Sequence, residues 1–166
     1  MNTSLDTSQL AGRRILIVDD VEDNRVVLDR QLRKSGFETS LCSDGMAAVA
    51  EVSSSPPDLV LLDWMMPGLS GMETLKAMRE HLDLHRLPII MCTARDEESS
   101  IVDALEAGAN DYVQKPIKMP VLLARISAQL MRQAAMAALG SVNQDLEALL
   151  AQRTRELFAS RGKPKD

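Results

Sequence analysis

Three aspartates, a threonine and a lysine stand just downstream of short apolar runs in this chain, and together they suit the capture of a phosphoryl group beside a metal ion. Asp19 and Asp20 follow Ile15-Leu16-Ile17-Val18, Asp63 follows Leu59-Val60-Leu61-Leu62, Thr93 follows Ile89-Ile90-Met91-Cys92, and Lys115-Pro116 comes shortly after Asp111-Tyr112-Val113. Three carboxylates within a few ångströms repel one another unless a cation lies among them. The donors are all oxygen, which selects a hard ion: Mg2+, with Mn2+ as a substitute.

A cation alone leaves Lys115 and Thr93 without a purpose, because an ammonium repels a metal and a carboxylate cage needs no hydroxyl. A phosphoryl group on one carboxylate satisfies every partner. The metal and Lys115 neutralise its oxygens, while the Thr93 hydroxyl and nearby backbone N–H groups donate to them. Asp63 is the natural acceptor, since its run lies between the acidic pair and Lys115, and an aspartate nucleophile forming an acyl phosphate is ordinary covalent chemistry.

These groups meet only if each run is a buried strand of one parallel sheet, whose ligands bind at the strands' carboxyl ends. Strand-like and helix-like patterns do alternate along the chain. Strands are expected at 14–18, 38–42, 59–62, 89–92 and 111–113. Helices are expected at 22–35, where Val26, Val27, Leu28 and Leu32 supply an apolar face, at 44–53 behind Asp44, from Ser70 or Gly71 to His81, and at 97–107 behind Asp96. Gly36 and Gly108 supply helix stops. A last helix begins after Pro116, with Leu122, Leu123, Ile126 and Leu130 facing the sheet, and continues to about Ala159. The result is an α/β, doubly wound five-stranded parallel sheet with an extended C-terminal helix.

Composition narrows the function. With 166 residues, 45% of them apolar, the chain supports a real core, and no apolar run approaches the roughly 20 residues of a membrane helix. Met1–Gly12 has no leader pattern, so a cytoplasmic protein is expected, with no membrane partner. Residues 1–118 hold 12 basic and 20 acidic residues, whereas 119–166 hold 7 basic and 4 acidic. An acidic domain with 2% aromatic residues offers no nucleic-acid surface, so direct nucleic-acid binding is not expected. Cys42 and Cys92, embedded in apolar segments, read as reduced core thiols. His81 and His85, four residues apart, fall on one helical face but read as solvated.

The blocks Ile15-Leu-Ile-Val-Asp-Asp20, Leu61-Leu-Asp-Trp-Met-Met-Pro-Gly68, Cys92-Thr-Ala94, Gly108-Ala-Asn-Asp-Tyr112 and Lys115-Pro116 closely resemble the receiver domain of two-component response regulators, over about residues 12–132. The resemblance implies a flavodoxin-like fold with strand order 2-1-3-4-5, and Asp63 as phosphoacceptor from a histidine kinase or histidine phosphotransfer protein. It further implies Asp20 as a direct Mg2+ ligand, Asp19 as a ligand through water or a positioning group, the Met65 backbone carbonyl in the metal sphere, Lys115 on the phosphoryl group, and a cis bond to Pro116. Thr93 and Tyr112 would form the switch, and Met65 and Arg95 would tune dephosphorylation. On this reading the chain catalyses its own phosphorylation and dephosphorylation, with no separate output enzyme domain. Trp64, the single tryptophan, would report on the site.

The organisation expected is an N-terminal arm (1–12), a receiver domain (13–132), a helical coiled-coil extension (133–160) and a polar tail (161–166). In the extension Leu139, Val142, Leu146 and Leu149 follow three-four spacing, Leu150 and Leu157 continue an adjacent stripe, Arg153 interrupts it, and Gly140 weakens the join. A parallel homodimer through this helix is the leading expectation; packing on its own domain or on another protein stays open. The segment also resembles signalling helices that join receivers to cyclic-di-nucleotide synthases, HD-GYP phosphodiesterases or kinase modules, and the alternative reading makes the chain the N-terminal input part of such a protein. Other classes are a non-phosphorylated scaffold module, which the complete set of Asp19, Asp20, Asp63, Thr93 and Lys115 argues against, and a phosphohydrolase, which would want a general-acid carboxylate where Met65 stands. A flavin binder would want a phosphate-cradling first loop in place of the acidic one.

Overall fold

The computed structural model describes residues 10–94 and 98–161. Strands β1 (Arg14–Val18), β2 (Glu38–Cys42), β3 (Leu59–Asp63), β4 (Ile89–Thr93) and β5 (Asp111–Gln114) alternate with helices α1 (Glu22–Lys34), α2 (Gly45–Ser54), α3 (Gly71–Arg79), α4 (Glu98–Glu106) and α5 (Met119–Arg161). Every strand pair is parallel and the order is β2-β1-β3-β4-β5. This is the doubly wound, flavodoxin-like sheet with a long C-terminal helix that the apolar pattern and the resemblance imply.

Burial follows strand position. Every residue of β3 and β4 is buried, which is why these strands read as unbroken apolar runs, whereas edge strand β2 buries only Cys42. Alternate residues feed two cores. Leu16, Val18, Val60, Leu62, Ile89 and Met91 pack with α2, α3 and α4, while Ile15, Ile17, Leu59, Leu61, Ile90 and Val113 pack with α1 and the first part of α5. Leu122, Ile126 and Leu130, at intervals of four, seat α5 on the second face with no residual exposure.

The turn chemistry also works as the sequence suggests. Asp44 caps α2 by accepting from the Ala47 N–H, and Ser70 caps α3 in a reciprocal pair with Glu73. Gly36 and Gly108 end helices with φ of +93° and +106°, a conformation that L side chains resist. Asp96, expected to cap α4, lies outside the described residues.

Two expectations need correction. In α1 only Leu28 and Leu32 are buried, and Val26 and Val27 are 43% and 54% exposed. A helix turns about 100° per residue, so Val26 lies about 200° from Leu28 and cannot share its face. Likewise, α3 stops at Arg79, so His81 and His85 share no helical face and both are exposed. The Arg79 guanidinium holds the segment instead, donating to the carbonyls of Gly108, Leu82 and Asp83 and to Asn110 Oδ1.

Cys42 and Cys92 are free and buried, and burial pushes both thiols up to about 12, where the reactive thiolate is scarce at neutral pH. The chain divides into two compact units between Gln133 and Ala134. In the second unit Leu139, Val142, Leu146, Leu149, Leu150 and Leu157 are each 52–65% exposed along a continuous helix. Among the described residues no helix is long and apolar enough to cross a membrane.

Candidate functional site

Strand register brings the polar groups together. Val18 pairs with Leu62, so Asp19 and Asp63 leave the sheet at the same level; Asp63 itself pairs with Cys92, placing Thr93 one step beyond it. Thr93 pairs with Gln114, and the next residue continues the ladder, the Lys115 N–H donating to the Thr93 carbonyl at 2.7 Å. One oxygen from each of Asp19, Asp20 and Asp63 lies within 4.8 Å of the others. Asp19 (2% exposed), Asp63 (5%) and Thr93 (3%) are buried, while Asp20 is exposed.

Lys115 closes the cluster. Its Nζ donates to Asp63 Oδ1 at 2.9 Å and to Asp19 Oδ2 at 3.0 Å, and its peptide bond to Pro116 is cis, as the resemblance implies. Burial lowers the Lys115 ammonium, but its bonds to Asp63 and Asp19 outweigh that and hold it above the ordinary lysine range. Burial pushes the Asp63 carboxyl up, against the pull of Lys115 and of the Met65 N–H, and the Asp19 charge adds to the rise. A carboxyl titration of the metal-free protein is therefore expected to find Asp63 above the ordinary aspartate value. Lys115→Met should move it higher and Asp19→Asn lower; movement in the opposite senses would refute the stated causes.

Three carboxylates and one ammonium leave two negative charges, the charge of one divalent cation, and every donor is oxygen. The residues therefore fit a hard divalent ion. They also leave Asp63 as a buried carboxylate with a lysine on Oδ1, able to act as an oxygen nucleophile.

The sequence model described as the response regulator receiver domain matches residues 15–127. The chain belongs to this receiver family. It is 44% identical over 119 residues to the phosphate regulon transcriptional regulatory protein PhoB of Rhizobium meliloti, covering 72% of this chain and 52% of that protein. Identity is 47% over 118 residues to the sensory transduction protein RegX3 of Mycobacterium bovis, covering 71% and 51%. Among solved structures it is similar to the receiver domain of the sensor histidine kinase PA1611 from Pseudomonas aeruginosa, which holds a magnesium ion in its active-site cleft; the TM-score is 0.66 and identity 32%, covering 72% of this chain and 98% of that one. The chain spans about half the length of the curated relatives it matches.

In this receiver Thr93 and Tyr112 share a sheet face. Strand alternation puts both on the side of α4, with Tyr112 beside Met91 in the register and half-buried against the same core. The Arg125 guanidinium lies 5.5 Å from the Tyr112 ring centroid and donates to Asp111 Oδ1 at 2.5 Å. Met65, two residues after Asp63, is 59% exposed, and Trp64 is half-buried against the core. Arg95, expected to tune dephosphorylation, lies outside the described residues.

Sequence reasoning missed three residues of the receiver site. Asn24, in the first turn of α1, donates from Nδ2 to both oxygens of Asp19 at 3.2 and 3.1 Å, and Arg25 Nη1 donates to the Asp19 carbonyl at 2.5 Å. Gly71 starts α3 with its N–H on the Trp64 carbonyl at 3.1 Å, and a Cβ there would stand 2.1 Å from the Asp63 carbonyl oxygen. The only sequence signal was a donor-bearing Asn-Arg pair a turn after the acidic loop, and a small residue at a helix start.

Proposed function

We propose that this receiver accepts a phosphoryl group onto Asp63 from a phosphohistidine of a histidine kinase or histidine phosphotransfer protein, in a Mg2+-dependent reaction of two-component signalling. The observation that carries it is the buried Asp63 carboxylate held 2.9 Å from Lys115 within a cluster whose residual charge matches a divalent ion. The protein acts in the cytoplasm on this reading.

An Asp63 oxygen attacks phosphorus as the P–N bond breaks and its electron pair returns to the imidazole, leaving an acyl phosphate on Asp63. Lys115, freed from one Asp63 oxygen, turns its donors to the phosphoryl oxygens. Asp20, Asp63 and the Met65 carbonyl would hold the ion, with Asp19 acting through water or as a positioning group, and the ion supplies charge neutralisation to the transferring group when bound. Thr93 donates its hydroxyl to the new group, and Tyr112, on the same face, turns into the space that opens. This is a population shift driven by about two added negative charges. Met65 and Arg95 tune dephosphorylation on this reading. Residues 13–132 carry this chemistry and 133–160 carry the response onward. The test is Mg2+-dependent incorporation of one phosphoryl group from a small phosphodonor, followed by Trp64 fluorescence; no incorporation with Mg2+ would leave a scaffold module.

The second unit completes the proposal. Its exposed leucine stripe supports a parallel homodimer, because a lone helix of this kind gains little stability from propensity alone and gains it by burying such a stripe. Sedimentation should give about twice the chain mass of 18.2 kDa. The double change Leu146→Lys, Leu149→Lys should return a monomer whose Asp63 labelling is intact; a wild-type monomer at high concentration would end the dimer reading.

A further inference from the structure

We propose that Asn24 is a positioning residue that keeps Asp19 from ligating metal directly, and so makes the acidic pocket prefer Mg2+ to the larger Ca2+. The inference rests on the reading that the pocket takes a divalent ion. A carboxylate has about four acceptor positions. In Asp19 all four are taken: Oδ1 accepts from the Val21 N–H at 2.9 Å and from Asn24 Nδ2 at 3.2 Å, while Oδ2 accepts from the same nitrogen at 3.1 Å and from Lys115 Nζ at 3.0 Å. Asn24 occupies two of the four with one nitrogen and spans both oxygens, which fixes the plane of the group. Arg25, donating to the Asp19 carbonyl, holds the main chain behind it.

The other two carboxylates are in a different condition. Among the described residues Asp20 is exposed with no side-chain hydrogen bond or ion pair, and Asp63 accepts from Lys115 on Oδ1, with the Met65 N–H favouring its charged form. The pocket therefore presents two carboxylates with open positions and a third that is saturated. Few direct protein ligands and several retained waters suit Mg2+, whereas Ca2+ takes six to eight oxygens and gains from each additional carboxylate. Loss of Asn24 opens two positions on Asp19 and removes the restraint on its plane. Asp19 then becomes available as a direct ligand, which helps Ca2+ more than Mg2+.

Asn24→Ala is compared with wild type by calorimetric titration of the unphosphorylated protein with MgCl2 and with CaCl2, with Trp64 fluorescence read in parallel. Asn24→Ser, whose short hydroxyl suits a first helical turn but cannot span both Asp19 oxygens, is measured as the second variant. The Mg2+-to-Ca2+ affinity ratio is expected to fall about tenfold in both, the size typical of losing a group that orients a metal site. An unchanged ratio, with both affinities intact or both weakened together, overturns the role of Asn24. Wild type that binds neither ion overturns the metal pocket as well, which separates the two failures.

Discussion

Asp63→Asn is expected to abolish phosphorylation by a small phosphodonor in Mg2+, leaving no phosphoryl mass on the intact protein and no phosphodonor-dependent change in Trp64 fluorescence. Asparagine keeps the shape of the side chain and an acceptor oxygen for Lys115, so the sheet and the pocket should persist. What it removes is the anionic oxygen that attacks phosphorus and one of the three charges that call for a divalent ion. Lys115 keeps its 3.0 Å bond to Asp19, so the variant retains a satisfied ammonium and should fold. A less complete loss is expected for Lys115→Met, by about 10²–10³ in rate, the cost typical of deleting one donor aimed at developing charge. Labelling of Asp63→Asn at the wild-type rate would place the acceptor elsewhere.

Gly71→Ala should be the most damaging glycine-to-alanine change among the described residues, because its Cβ meets backbone. Helix propensity alone would favour alanine by about 1 kcal/mol. Yet the added Cβ would lie 2.1 Å from the Asp63 carbonyl oxygen and 2.8 Å from Trp64 Cα, and both are backbone that cannot swing aside. Overpacking of this kind costs about 1–3 kcal/mol, and occasionally more. The urea midpoint should fall with the slope unchanged. Because relief must come from moving the β3–α3 connection, the phosphorylation rate should fall with it. Gly140→Ala is the contrast: nothing stands within 4 Å of its new Cβ, so the same change should raise helix stability by about 1 kcal/mol. A Gly71→Ala protein as stable as wild type would show that the helix start can slide without cost.

The site was legible because its parts are local to strand ends. Asp19, Asp20, Asp63, Thr93 and Lys115 each follow an apolar run whose identity as a buried strand is plain, and parallel register then leaves them no choice but to meet. Residues that act on those groups from neighbouring elements were not legible. Asn24 differs from any other asparagine in a helix's first turn only because the loop folds Asp19 back against it. Gly71 reads as a permissive helix start until the carbonyl it abuts is known. Val26 and Val27 are a different case: the turn of about 100° per residue already sets Val26 about 200° from Leu28, and what the sheet decided is that the Leu28–Leu32 side faces inward.

The sequence by itself determined the strand and helix order, the parallel doubly wound sheet, the acidic cluster with its lysine, and membership of the receiver family, because these depend on local patterning and on motifs carried in single segments. The tertiary structure alone decided which carboxylate is saturated and which are open, that Asp63 is buried against Lys115, and that the second unit's leucines stand exposed. Those properties depend on which lone pairs and surfaces are already occupied. Occupancy is set by groups distant in sequence, as Asp19 and Lys115 are, and takes a value only once the chain has closed around them.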